Sequence, residues 1–127
     1  MTARSGAPAL GIDLIEIERI ERALAKRPRL AERLFRPAEL EHSRSKARPG
    51  RHLAARFAAK EAAIKALGGG CGPRDVEVTG DHGAAPELRL HGRAKAIAES
   101  GGLELAVSLT HSRESAAAVV LASPIAG

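Results

Sequence analysis

The chain has 127 residues, a length that suits one compact domain, residues 1–127, around a single core. Hydrophobic residues make up 44% and charged residues 28%, which excludes a disordered chain, and a net charge of +5 favours an acidic partner. Phe35 and Phe57 are its only aromatic residues, so it lacks the stacking platforms of RNA-recognition sheets and single-strand binders, and the core has to come from Ala, Leu, Ile and Val.

The single cysteine, Cys71, excludes an intrachain disulfide. The apolar run over residues 7–17 is broken by Asp13 and has no signal-peptide layout. No run approaches the ~20 apolar residues of a spanning helix, so a cytoplasmic protein without a membrane partner is expected.

Residues 9–15 alternate, with Leu10, Ile12 and Leu14 on one face and Gly11, Asp13 and Ile15 on the other, which predicts a strand. From Glu16 the period changes. Ile17, Ile20 and Leu24 form one helical stripe, Arg19, Arg22 and Lys26 lie roughly opposite, and Pro28 stops the helix. Phe35-Arg36-Pro37-Ala38-Glu39 reads as a turn into a second helix, with Pro37 and Glu39 suited to its N-terminal end. Residues 44–50 are polar and basic, punctuated by Pro49-Gly50. Residues 52–67 are dense in Ala and end in Gly68-Gly69-Gly70, a clear helix and stop. Short strands follow at Val76 to Val78 and Leu88 to Leu90, then a helix over 92–100. Leu105, Val107, Leu109 and His111 share a strand face, and 116–122 returns as its hairpin partner. Helices mostly first and strands mostly last predict an α+β fold with an antiparallel sheet.

Four polar features sit where packing alone would not put them. Asp13 is a carboxylate inside an apolar strand, costly to bury unless it is paired, hydrogen-bonded or bound to a metal. Phe57, Glu61 and Lys65 are spaced by four and line one edge of the helix, beside an apolar stripe of Leu53, Phe57 and Ile64 into which Lys60 intrudes. Read blandly, these are i,i+4 ion pairs on a wet face. The glycines after Lys65 serve either as a helix cap or as backbone that lets a phosphate approach; they are not a Walker A loop. His111 ends an apolar strand face, where a structural histidine is the plain alternative, and Ser108 points to the other face, so the two form no triad. Taken together, two carboxylates, a lysine, a histidine and a glycine loop suggest a site for a phosphorylated ligand with Mg²⁺, an ion that takes oxygen ligands from one or two carboxylates, phosphates and water.

Three blocks resemble one family. Gly11-Ile12-Asp13-Leu14-Ile15-Glu16-Ile17-Glu18-Arg19-Ile20 resembles the opening of the holo-[acyl-carrier-protein] synthases, the small 4′-phosphopantetheinyl transferases. Arg56-Phe57-Ala58-Ala59-Lys60-Glu61-Ala62 with Lys65-Ala66-Leu67-Gly68 resembles their central signature, and Ser108-Leu109-Thr110-His111-Ser112 their last strand motif. Phe35 with Pro37-Ala38-Glu39-Leu40 is similar to the segment between the first two blocks, so the order agrees along nearly the whole chain.

The resemblance implies transfer of the 4′-phosphopantetheine arm of coenzyme A to a serine of an apo carrier protein, with release of adenosine 3′,5′-bisphosphate and a need for Mg²⁺. It implies Asp13 and Glu61 as metal ligands, and Asp13, Glu61 and Lys65 as the catalytic group. It implies Phe57, Lys65, Gly68, Pro86, His111 and Ser112 against coenzyme A. Arg19, with Arg22 and Lys26 on the same face, would meet an acidic carrier. The serine's proton goes to Glu61 or to a water on the metal; the sequence does not choose. Two departures stand out: Gly83-Ala84-Ala85-Pro86 lacks the family's lysine before proline, and Gly68-Gly69-Gly70-Cys71-Gly72 is looser than the usual glycine segment. The family's small members are homotrimers with sites between neighbours. A basic nucleic-acid-binding domain is the rival reading, yet it leaves Asp13 and Glu61 unexplained. A coenzyme A-binding module without activity is the third, and the joint presence of Asp13, Glu61, Lys65 and His111 argues against it.

Overall fold

The computed structural model describes residues 8–80 and 84–126; Gly83 falls outside them. In chain order the elements are β1 (Ala9–Glu16), α1 (Ile17–Lys26), α2 (Leu30–Leu34), α3 (Pro37–Arg44), α4 (Pro49–Leu67), a short 3-10 turn (Pro73–Asp75), β2 (Val76–Thr79), β3 (Glu87–Leu90), α5 (Gly92–Gly101), β4 (Leu103–His111) and β5 (Ser115–Pro124). The fold is α+β, as expected, but the strands form two antiparallel sheets rather than one: β1-β5-β4 and the small pair β2-β3.

The register of the larger sheet places the site. Asp13 lies opposite Ala118, which lies opposite Leu109 on β4; His111 pairs with Ala116, two positions further on. Gly11, Asp13 and Ile15 on β1 and Ala116, Ala118, Val120 and Ala122 on β5 turn toward α4, where Ala58, Ala59, Ala62, Ala63 and Ala66 are fully buried. Small residues on both surfaces let the helix ride close to the strands. A side chain at Gly11 would put its first carbon 1.8 Å from the Ala62 carbonyl oxygen, so no other residue fits there without moving α4.

The apolar face of β1 points the other way. Leu10, Ile12 and Leu14 are 68%, 69% and 71% exposed and continue into Val119 and Leu121 on β5. The alternation is thus that of a strand whose Gly11, Asp13 and Ile15 face the helix and whose Leu10, Ile12 and Leu14 face out.

Helix α4 starts at Pro49, three residues before the expected onset. Pro49-Gly50 is the helix's first turn rather than a loop, because proline's missing N–H costs nothing there. The helix ends at Gly68, whose φ of 86° is left-handed; its N–H and that of Gly69 cap the carbonyls of Lys65 and Ile64. Gly69 and Gly70 hold positive φ as well. Helix α2 and the 3-10 turn, too short to show a period, have no counterpart in the sequence reading.

Candidate active site

Asp13 and Glu61 come together at the edge of the larger sheet, where β1 passes the C-terminal half of α4. Lys65 Nζ donates to the Ile12 carbonyl at 3.0 Å and to Asp13 Oδ1 at 3.2 Å. It therefore pairs with the carboxylate of another element, not in a helix-surface ion pair. Glu61, one turn earlier, is half-buried. Burial pushes its carboxyl above the usual carboxylate range, the Asp13 charge adds to the rise, and Lys65 opposes it. Two carboxylates crowded in this way favour a cation between them.

The remaining expected residues fall into separate groups. Phe57 is partly buried and packs, as Leu24 does, against the cluster of Phe35, Leu40 and Leu53. Gly68 is exposed at the helix end, three residues past Lys65, and Pro86 leads into β3. Ser112 locks the β4–β5 turn: its N–H donates to the Ser115 carbonyl at 2.8 Å and its Oγ accepts from the Ser115 N–H at 3.2 Å. Arg19, Arg22 and Lys26 are all exposed on α1, and Arg22 is tied to Glu18 at 2.6 Å.

His111 does not join Asp13 within the chain. Its ring lies 6.1 Å from that of His52, edge to face, on the first half of α4. His52 and Glu61 are nine residues apart, about 13 Å along the axis and half a turn round. Burial lowers the His52 pKa, and Arg56, His111, Lys46 and Arg51 lower it further, so the His52–His111 end of the helix is a concentration of positive charge. Arg48 closes this end, gripping Glu21 through Nε at 3.1 Å and Nη2 at 2.9 Å and donating Nη1 to the Arg113 carbonyl at 3.1 Å. The sequence reading missed His52 and Arg48; only the run of basic residues hinted at them.

It also missed the function of Lys60. This lysine is fully buried, with Nζ donating to Glu39 Oε1 at 2.8 Å, the Pro73 carbonyl at 3.0 Å and the Val76 carbonyl at 2.6 Å. Glu39 accepts in turn from the Arg36 and Val78 N–H groups at 2.9 and 3.0 Å. Lys60 Nζ also lies 5.4 Å from the centre of the Phe35 ring. Desolvation lowers the lysine's pKa, and Glu39 opposes this. With every charge and donor answered, the pair is tolerated in the core.

A hollow of about 640 Å³ lined by Phe35, Pro37, Leu40, Arg44 and Arg74 touches none of Asp13, Glu61 or Lys65. Among the described residues, no three His, Cys, Asp or Glu side chains could hold a metal together.

Residues 9–120 match the family described as the 4′-phosphopantetheinyl transferase superfamily. The chain is 50% identical over 115 residues to the holo-[acyl-carrier-protein] synthase of Moorella thermoacetica, covering 87% of this chain and 90% of that one. Among solved structures it resembles the ACPS–CoA complex of Chronobacterium ammoniagenes, with a TM-score of 0.83, 32% identity, and 93% and 98% of the two chains covered. It also resembles a holo-(acyl-carrier-protein) synthase from Bacillus anthracis in complex with CoA (3′,5′-ADP), with a TM-score of 0.75, 32% identity, and 91% and 96% covered. The three blocks that carry the Asp13, Glu61 and His111 motifs all lie within the matched residues, and the chain belongs to the 4′-phosphopantetheinyl transferase superfamily.

Proposed function

We propose that Asp13, Glu61 and Lys65 form the centre at which this enzyme, a holo-[acyl-carrier-protein] synthase, moves the 4′-phosphopantetheine arm of coenzyme A onto a serine of an apo acyl carrier protein. The observation that carries the assignment is the meeting of Asp13 and Glu61, from different elements, beside the Lys65 ammonium. The serine oxygen forms a new bond to the phosphorus that bears the pantetheine, and the bond from that phosphorus to the nucleotide's phosphate breaks. The serine's proton passes to Glu61 or to water, and adenosine 3′,5′-bisphosphate leaves. Lys65, next in line on α4, supplies positive charge to the departing phosphate, the kind of preorganised stabilisation such transfers use.

The donor set suits Mg²⁺. Asp13 and Glu61 offer hard oxygen ligands, and the lack of a third protein ligand among the described residues leaves places for diphosphate oxygens and water. When bound, the ion would offset charge on the diphosphate. Phe57, Gly68, Pro86, His111 and Ser112 are the residues assigned to coenzyme A, and His111 lies beside the cationic His52 end of α4. Arg19, Arg22 and Lys26 form the face for the acidic carrier, steering its approach.

The reading includes a homotrimer. Two features support it: the sheet face of Leu10, Ile12, Leu14, Val119 and Leu121 is open to solvent, and His111 lies two strands over from Asp13 and two positions further along the register. Ile12→Glu should yield monomers by light scattering, with transfer lost. Unchanged mass with full activity would remove the trimer. The chain is read as one domain, since all three apolar clusters draw on or pack against α4. No helix among the described residues is long and apolar enough to cross a membrane, and the lone thiol Cys71 suits a cytoplasmic setting.

Intact-mass spectrometry of an apo carrier incubated with the protein, coenzyme A and Mg²⁺ tests the assignment. A gain of one phosphopantetheine arm, absent with EDTA, is expected. No gain across several carriers would return weight to a binding module.

A further inference from the structure

We infer that Lys60 is a positioning residue: its buried bonds to Glu39, Pro73 and Val76 set the rotation of α4 about its own axis and so aim Glu61 at Asp13. The inference rests on the reading of Asp13 and Glu61 as the reacting centre.

The middle of α4 is smooth. From Ala58 to Ala63 every buried residue is alanine except Lys60. Alanine faces give no ridges to index against a sheet, so they hold the helix near the strands without choosing its rotation. Of the larger apolar side chains on α4, Leu53 and Leu67 are buried near its two ends, while Phe57 and Ile64, about one turn either side of Glu61, are only partly buried. Within a turn of Glu61, Lys60 is the one long side chain that is fully buried, and so the one placed to act as a key.

The lysine reaches three separate elements. It grips α3 through Glu39, the 3-10 turn through Pro73 and β2 through Val76. A rotation of α4 would strain all three bonds and move the charge off Glu39. Glu39 is itself held by the backbone N–H groups of Arg36 and Val78, so it cannot follow. Glu61 is the next residue, about 100° round the helix. Its carboxylate sits ~6 Å from the axis, so a 20° turn would carry it ~2 Å. A misplacement of 1 Å can cost a reaction about a hundredfold. The same grip on Pro73 holds the far end of the glycine segment that leaves α4 at Gly68.

The test is the paired variant Lys60→Met with Glu39→Gln, which removes both charges together and keeps a polar acceptor for Val78. Three readouts are taken: kcat and KM for coenzyme A, the Mg²⁺ concentration at half activity, and a crystal structure overlaid on the β1-β5-β4 sheet. We expect a folded enzyme with kcat down at least tenfold, KM within about twofold, a higher Mg²⁺ midpoint, and Glu61 shifted by more than 1 Å from Asp13. Should that variant not fold, Lys60→Arg keeps the charge but changes the reach, and the same loss of kcat is expected. A folded variant with wild-type kcat, Mg²⁺ midpoint and Glu61 position would overturn the inference. If the wild-type protein proves unable to modify carriers, the functional reading falls instead, and the crystal structure still decides whether Lys60 sets the helix.

Discussion

Lys60 and Lys65 stand five residues apart on one helix, and each faces a carboxylate of another element. Lys60 has a side chain with 0% exposure and Glu39 has 1%; Lys65 is 56% exposed and Asp13 20%. The buried pair spends all its donors on the protein, whereas the outer pair is loose, at 3.2 Å, and open to a ligand. Under the proposed function, the difference separates a pair that builds the site from a pair that would work in it. A charge sealed in the core gains little net stability but is costly to break. A charge at the surface adds little to stability, so it is free to change partners when substrate arrives.

The largest effect is expected from removing the two carboxylates proposed to act in transfer. Glu61→Gln or Asp13→Asn should lower transfer ~10³-fold, the scale of losing several kcal/mol of metal-assisted stabilisation, with the melting temperature nearly unchanged. Steady-state rates and calorimetry on the same preparations check both halves. Lys65→Met should lower kcat ~10²-fold, again without unfolding the chain.

Lys60→Met should add a loss of stability to the loss of transfer. It leaves Glu39 buried without its partner, and denaturant titration should show a loss of about 3 kcal/mol or more. An equal stability loss at Lys65 would erase the distinction between the two lysines.

The smallest effect concerns His52. Its pKa in the fold is lowered, mainly by burial and then by Arg56 and neighbouring cations, below the unfolded value. The unfolded chain then binds more protons between the two values, so stability rises with pH across that window. The His52 contribution is complete above the unfolded value of about 6.5 and fades as pH falls below it. In His52→Gln the drop in melting temperature from pH 7.5 to 5.5 should be shallower than in the wild type. An identical slope would assign the pH response to other groups.

Much of this was legible in the sequence for local reasons. The alternation over β1, the Ala-rich run of α4 and the glycine stop are all short-range patterns, and each predicted element was found. Asp13 stood out because it broke an apolar strand, and Glu61 and Lys65 because their spacing set them on one helix edge. Non-local features were hidden. Glu39 and Lys60 are 21 residues apart, and no periodicity links them. The outward turn of Leu10, Ile12 and Leu14 was equally hidden, because alternation gives two faces without saying which one meets the helix. Gly11 decides it, since only that face lets α4 approach. The separation of His111 from Asp13 needed the strand register and the helix direction together.

The most direct test of the central claim is an intact-mass time course on an apo acyl carrier protein with coenzyme A and Mg²⁺, comparing wild type with Asp13→Asn at equal folded concentration. One phosphopantetheine arm should be added by the wild type and almost none by the variant over the same period. Equal modification by both would move the reacting centre away from Asp13, Glu61 and Lys65.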